Sequence, residues 1–255
     1  MLKTPALILK KQNLGETDRI LTIFSPFLGK KRVIVRGVRR PLSKLAGHLD
    51  TMMLTQIMLT DEDELPKVAG ALLAEPFENI RNSLTLLNRA YAITKIIERV
   101  IVEDVAERPI FQLTIDCLMR LNNNEKWAAI WLHFLSRLTG RLGLSITDFT
   151  CFNCKKEINE GASWLFDEHK FSCHSCVNEA LTLELEPNSI KMLKLLGKEN
   201  YSLILRVGIP DKVAQEVEEV FLRLVTEWLN KPWTTYASLQ VSKNDSSFLI
   251  LDSKF

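Results

Sequence analysis

Two cysteine pairs place the strongest constraint on how this chain can fold. Cys151-Phe-Asn-Cys154 and Cys173-His-Ser-Cys176 are separated by eighteen residues. Each C-x2-C turn offers two sulfurs to one ion, and two such turns at this separation have the spacing of a four-thiolate zinc site. The intervening residues must return the chain, which predicts a hairpin through Ser163–Phe166 and Lys170–Phe171. A closed set of four sulfurs leaves no coordination position for water, so the expected Zn2+ is structural and not catalytic. It stands in for a hydrophobic core that about thirty residues cannot supply, at roughly 10–16 kcal/mol of apparent binding free energy in small peptides. His169 and His174 lie near the pairs, and either could replace a cysteine, but the spacing favours all-sulfur ligation. The fifth cysteine, Cys117, has apolar neighbours and is expected to be a buried small side chain. His48 and His133 have no second ligand at helical spacing and read as ordinary core or surface residues.

Charge is distributed unevenly. The net charge of the 255 residues is only +2, yet residues 1–50 hold eleven cations against three acids. Seven of the cations, Lys30, Lys31, Arg32, Arg36, Arg39, Arg40 and Lys44, fall within residues 29–44, a stretch without a carboxylate. β-Branched residues alternate with them, and Gly37 and Pro41 punctuate them, which predicts a strand with a charged rim running into a basic loop. Such a cluster repels itself, and a polyanion would relieve the repulsion while releasing its own counterions. The competing reading is a solvated strand edge whose cations block aggregation.

Residues 4–74 read as five short strands: Leu7–Leu9, Arg19–Phe24, Lys31–Val38, Thr51–Leu59 and Val68–Ala74. With turn signals between them and no long helix, they suggest a small barrel. A short helix could lie within Ser43–Asp50. From about Pro76 the apolar period becomes helical. One helix, capped by Asn82 or Ser83, carries Leu84 to Ile101; Arg108-Pro109 closes that segment. A second runs from Ile110 to Leu121, and a third from near Glu125 to Gly140 or Gly143. Its Trp127, Trp131 and Phe134 stripe reads as core. A short helix spans Ile190–Leu196, and Asp211 is expected to cap a longer one that ends at Lys231-Pro232. The tail from 232 to 255 is expected to be partly disordered, or to hold one strand around Phe248–Leu251. The fold class is therefore α+β, with a β domain over 1–78 and a larger helical domain over 79–255 that embeds the zinc module at 150–180.

Enzyme signatures are missing: no phosphate-binding loop, dinucleotide fingerprint, H-E-x-x-H or nucleophile elbow occurs. The acidic run Asp61, Glu62, Asp63, Glu64 precedes Pro66 and reads as a solvated hairpin tip in preference to a two-metal nuclease site. No stretch of about 18 apolar residues predicts a membrane span. The absence of an export signal and the metal-type cysteine spacing point to the cytoplasm. Between residues 1 and 75 the only aromatics are Phe24 and Phe27, so the basic barrel offers few rings for base stacking. The expected binding is phosphate-dominated and independent of sequence.

The residues also carry a family resemblance. Leu14-Gly-Glu-Thr-Asp-Arg-Ile-Leu-Thr-Ile-Phe24, then Gly29-Lys-Lys31 and Arg36-Gly-Val-Arg-Arg-Pro41, resemble the N-terminal signature of the bacterial recombination mediator family RecO. Phe134-Leu-Ser-Arg-Leu-Thr-Gly-Arg-Leu-Gly143 and both cysteine pairs resemble that family's approach to its zinc knuckle. The resemblance implies an OB-fold barrel, a helical domain and an embedded four-cysteine zinc module. It implies a non-enzymatic DNA repair and homologous-recombination mediator, cytoplasmic and nucleoid-associated. Such a protein binds single- and double-stranded DNA, anneals complementary strands and helps load RecA onto strands coated by single-strand-binding protein. The implied partners are RecR and the C-terminal tail of the coating protein, with no membrane. Arg19, Lys30, Lys31, Arg32, Arg36, Arg39, Arg40 and Lys44 become the DNA-binding candidates, and Cys151, Cys154, Cys173 and Cys176 the metal ligands. Three places depart from the family pattern: Lys155 stands where glycine is common, as do His169 and Lys170, and the region after Trp228 differs. The alternative is an RNA-binding or assembly module, because a basic barrel with a zinc knuckle also suits RNA.

Overall fold

Alternation of apolar residues builds the first sheet. Ala6 and Ile8, Leu21 and Ile23, Val33 and Val35, and Ile57 and Leu59 occur in i, i+2 pairs, and all of them are buried in one cluster with Val38, Leu49 and Val68. The computed structural model describes residues 1–60, 65–177, 182–198 and 201–229. In it, strands β1 (Leu2–Leu14), β2 (Asp18–Ser25), β3 (Gly29–Val35), β4 (Leu54–Leu59) and β5 (Val68–Glu75) form one antiparallel sheet in the order β3-β2-β1-β4-β5. The free edges meet at a single parallel bridge, Ile34 to Lys67, where the Ile34 N–H donates to Pro66 O at 2.9 Å.

β1 is much longer than the Leu7–Leu9 segment expected from apolar content. It pairs with β4 over Leu2–Leu7 and with β2 over Leu7–Leu14, and its register slips between Ile8 and Lys10. The bulge bends the central strand so that it serves both halves of the sheet. β3 ends at Val35, three residues earlier than expected, because Gly37 turns the chain at φ +63°. β4 starts at Leu54, since Met52 adopts φ +59°. The short helix expected within Ser43–Asp50 is a single 3-10 turn at Ala46–His48.

The other face of the sheet takes helices. Leu7 and Phe24 are fully buried on the side of the sheet opposite that cluster, and the Phe24 ring meets Phe111 edge-on at 5.3 Å. The four-residue α1 (Glu78–Arg81) leads to α2 (Leu84–Val100), α3 (Arg108–Asn122) and α4 (Trp127–Arg141). Ser83 caps α2 by accepting from the Leu86 N–H at 3.4 Å. Pro109 lies within the first turn of α3, where its missing N–H costs nothing, so the helix opens at Arg108. Trp131 and Phe134 are buried, as core residues should be; Trp127 stacks on Trp131 at 5.1 Å.

Met1–Ser145 form one compact unit, which holds the sheet and α1–α4, and Ile146–Phe255 form a second. The second contains a small antiparallel sheet of β6 (Ala162–Leu165), β7 (Lys170–Ser172) and β8 (Thr182–Leu185) in the order β7-β6-β8. β6 and β7 are the hairpin expected between the cysteine pairs; β8 carried no sequence signal. Helices α5 (Pro187–Gly197), α6 (Tyr201–Arg206) and α7 (Asp211–Trp228) follow. Asp211 is the first residue of α7 and Pro210 occupies the cap position, so the aspartate acts on the helix dipole without capping. The acidic run at 61–64, Lys231-Pro232 and the tail strand around Phe248–Leu251 lie outside the described residues. Among the described residues no helix is long and apolar enough to cross a membrane.

Candidate metal centre and nucleic-acid interface

The four paired cysteines converge. The Sγ atoms of Cys151, Cys154, Cys173 and Cys176 all lie within 4.8 Å of one another, and Cys154 and Cys173 approach to 3.9 Å. A tetrahedral zinc with sulfurs at about 2.3 Å requires sulfur–sulfur edges of about 3.8 Å, so the donor set fits that ion. Backbone hydrogen bonds shape both turns. The Lys155 N–H donates to Cys151 O at 2.9 Å, and the Cys176 N–H donates to Cys173 O at 2.9 Å. The Cys173 N–H also donates to Cys151 Sγ at 3.4 Å. Burial pushes the Cys151 thiol up, but the N–H groups of Cys154, Cys173 and Asn153 aimed at its sulfur outweigh burial and bring it down to about 6. Cys176, hydrogen-bonded to Cys173 and Cys154, is pushed up to about 12. Four thiolates at this range repel one another, so full ionisation of the set requires a cation at its centre.

Neither nearby histidine joins the sulfurs. His169 pairs with Glu227 of α7. His174 lines a cleft with Glu160, Glu184 and Glu216. Two of the departures from the family pattern prove informative about the backbone: Lys155 and His169 adopt φ +60° and +51°, the left-handed conformation that glycine takes without strain. Cys117 is buried, and burial raises its thiol well above the ordinary value.

The eight basic candidates divide into two groups. Lys30 and Lys31 face the helices. Lys30 Nζ donates to Glu98 O in the last turn of α2 at 2.9 Å, and its own carbonyl accepts from the Asp104 N–H at 3.0 Å. Lys31 Nζ pairs with Asp104 at 2.6 Å. Gly29, beside them, has φ +65°, and a Cβ there would stand 1.9 Å from Val105 O. This corner pins the sheet to the segment after α2, a role the sequence did not signal.

The remaining cations lie on β2 (Arg19), in the middle of β3 (Arg32) and in the loop after it. Arg32, Arg36, Arg39, Arg40 and Lys44 are exposed, and Arg19 is half-buried. None of these six forms a salt bridge among the described residues. Asp18 organises the start of the loop that carries four of them. Its carboxylate accepts from the Gly37 N–H and the Thr17 hydroxyl, both at 2.8 Å. Those hydrogen bonds, with Arg36 and Arg40 nearby, hold its pKa below the usual carboxylate value. Arg39 Nη1 donates to Gly15 O at 2.9 Å, and the Arg39 N–H donates to Thr17 O at 2.9 Å, so the β3–β4 loop is stitched to the β1–β2 hairpin tip. Between them opens a cleft of about 430 Å3 lined by Leu14, Thr17, Asp18, Ile34, Arg36, Gly37 and Arg40. Of the two aromatics in this region, Phe24 is buried, while Phe27 is 57% exposed with the Arg108 guanidinium 5.9 Å from its ring centre.

Comparison with known proteins agrees with this geometry. The family pattern described as Recombination protein O N terminal matches residues 1–77, and that described as Recombination protein O C terminal matches residues 81–235. A DNA repair protein RecO of Dehalococcoides mccartyi is 28% identical over 217 residues, covering 85% of this chain and 86% of the relative. One from Acetivibrio thermocellus is 27% identical over 235 residues, covering 91% and 94%. One from Thermodesulfovibrio yellowstonii is 24% identical over 249 residues, covering 94% and 98%. The two matched segments between them take in the basic sheet, helices α2–α7 and the four-sulfur cluster, and on that ground the chain belongs to the Recombination protein O family.

Proposed function

We propose that the protein is a non-enzymatic, cytoplasmic mediator of recombinational DNA repair. It binds single- and double-stranded DNA, anneals complementary strands and helps load RecA onto strands coated by single-strand-binding protein. Its partners are RecR and the acidic tail of the coating protein. The observation that carries this reading is the rim of exposed cations, Arg32, Arg36, Arg39, Arg40 and Lys44, unpaired with acids on the sheet of a chain from this family. Phosphates of two strands that neutralise this rim lose their mutual repulsion and can approach for pairing. Cys151, Cys154, Cys173 and Cys176 hold Zn2+, which cross-links two turns and leaves no open coordination position.

The test is annealing of complementary strands pre-coated with single-strand-binding protein. The wild type accelerates it, and the doubly reversed variant Arg39→Glu, Arg40→Glu loses most of the acceleration. Undiminished annealing by that variant removes the rim mechanism. With four to six phosphates met, log K against log salt falls with a slope of roughly −3 to −5. Metal analysis of the purified protein should return about one zinc per chain.

A further inference from the structure

The first cysteine turn presents an aromatic ring that the metal centre does not need. Phe152 lies between the ligands Cys151 and Cys154 and is 36% exposed. Its N–H donates to Phe171 O at 2.7 Å, which fixes it against β7. Asn153 Nδ2 donates to Cys176 O at 3.0 Å and closes the turn from the other side. Two ammonium groups hover at the ring, Lys155 Nζ at 5.2 Å and Lys170 Nζ at 5.4 Å from its centre. Exposed Lys156 follows directly in the chain. None of the three lysines forms a salt bridge among the described residues. The carboxylate that feels Lys170 and Lys155 is Asp148, whose oxygen is already taken by the Thr150 hydroxyl and N–H.

A water-exposed ring on a rigid turn, bordered by two cations that form no salt bridge among the described residues, is the chemistry of a strand-binding platform. We infer that Phe152 stacks one unpaired base of single-stranded DNA while Lys155, Lys156 and Lys170 take the flanking phosphates. On binding, a base replaces an ammonium group at the ring, and that ammonium moves to the phosphate beside it. Every base has a π-face, so the site is indifferent to sequence. A duplex keeps its bases stacked inside and cannot use the ring. The metal module thus adds selectivity for single strands that the basic sheet lacks. This inference rests on the DNA-binding reading above.

The experiment uses the full-length, zinc-loaded protein with a labelled oligothymidine strand and a duplex of equal length at one salt concentration. Phe152→Ala should weaken single-strand binding by about 5- to 150-fold. Phe152→Trp should retain it, and duplex binding should be unchanged in both variants. An abasic strand should bind wild type and Phe152→Ala alike. Equal single-strand affinity for wild type and Phe152→Ala overturns the inference, as does an equal loss on strand and duplex. If Phe152→Ala fails to retain metal, Phe152→Leu, which keeps apolar bulk without a π-face, carries the same expectations and the same refutation. Wild type that binds neither DNA form overturns the proposed function itself, whereas intact duplex binding with no single-strand effect overturns the stacking site alone.

Discussion

At Gly29 a methyl group would have to occupy the space of a carbonyl. The Cβ position lies 1.9 Å from Val105 O and 2.6 Å from Val105 C, both backbone atoms with no rotamer to yield, and φ is +65°. Gly29→Ala should therefore destabilise the protein by about 3 kcal/mol or more, through overpacking and left-handed strain together. Denaturant unfolding of the variant checks this; a change below about 1 kcal/mol would mean that the corner opens easily. The opposite sign is expected at Lys155. A left-handed L-residue costs about 1–2 kcal/mol, and glycine gives back part of that through its larger unfolded-state entropy. Lys155→Gly should stabilise by about 0.5–1 kcal/mol, read as a raised melting temperature at constant zinc content. At His169 the same exchange should gain less, since it removes the contact with Glu227. These conformations were not legible in the residues themselves: His169 read as a spare ligand near the cysteine pairs, and only the resemblance marked both positions as places where glycine is common.

Among the elements, legibility followed period and length. β2, β3 and β5, and α2, α3, α4 and α7, carry enough alternation or helical repeat to be seen directly. α1, α6 and β8, of four to six residues, are too short for a period to emerge, and the packing around them decides their form. The cations of β3 show a different limit. Seven basic residues in one stretch look alike in sequence, yet Lys30 is held by a carbonyl 68 residues away and Lys31 by an aspartate 73 residues away. Lys30 Nζ satisfies an end carbonyl of α2 and sits at the negative end of its dipole. Lys30→Met should thus lower stability by about 1–2 kcal/mol and leave the salt dependence of DNA binding unchanged. Arg32→Ala and Arg40→Ala should leave stability unchanged and each make the slope of log K against log salt shallower by about 1. Melting curves and salt titrations on the same three variants separate the two roles; a shallower slope for Lys30→Met would place that lysine on the phosphate-binding rim after all.

For the molecule as a whole, the two units draw stability from different sources. Met1–Ser145 has a cluster of buried strand residues and a second layer of helices, including fully buried Trp131, Phe134 and Phe24. In Ile146–Phe255 the buried Trp164 and Phe171 pack edge-on at 4.8 Å beside the cysteine turns, and Cys151 itself is buried. Those turns are closed by a few backbone bonds, and without a cation the sulfurs can only hydrogen-bond one another as partly protonated thiols. With zinc held as proposed above, metal binding and folding should be one event in the second unit and independent in the first. A chelator strong enough to strip zinc should abolish the near-ultraviolet signal of Trp164 while the signals of Trp131 and Phe111 persist. In a thermal scan it should lower one transition and leave the other in place. Phosphate binding by the Arg32–Lys44 rim should survive this treatment with its salt slope intact, because the sheet that carries the rim owes nothing to the metal. Single-strand preference should disappear, because Phe152 loses the turn that holds it. Loss of both transitions on chelation would show that the first unit leans on the second, and retention of both would show that the sulfurs close their turns without an ion.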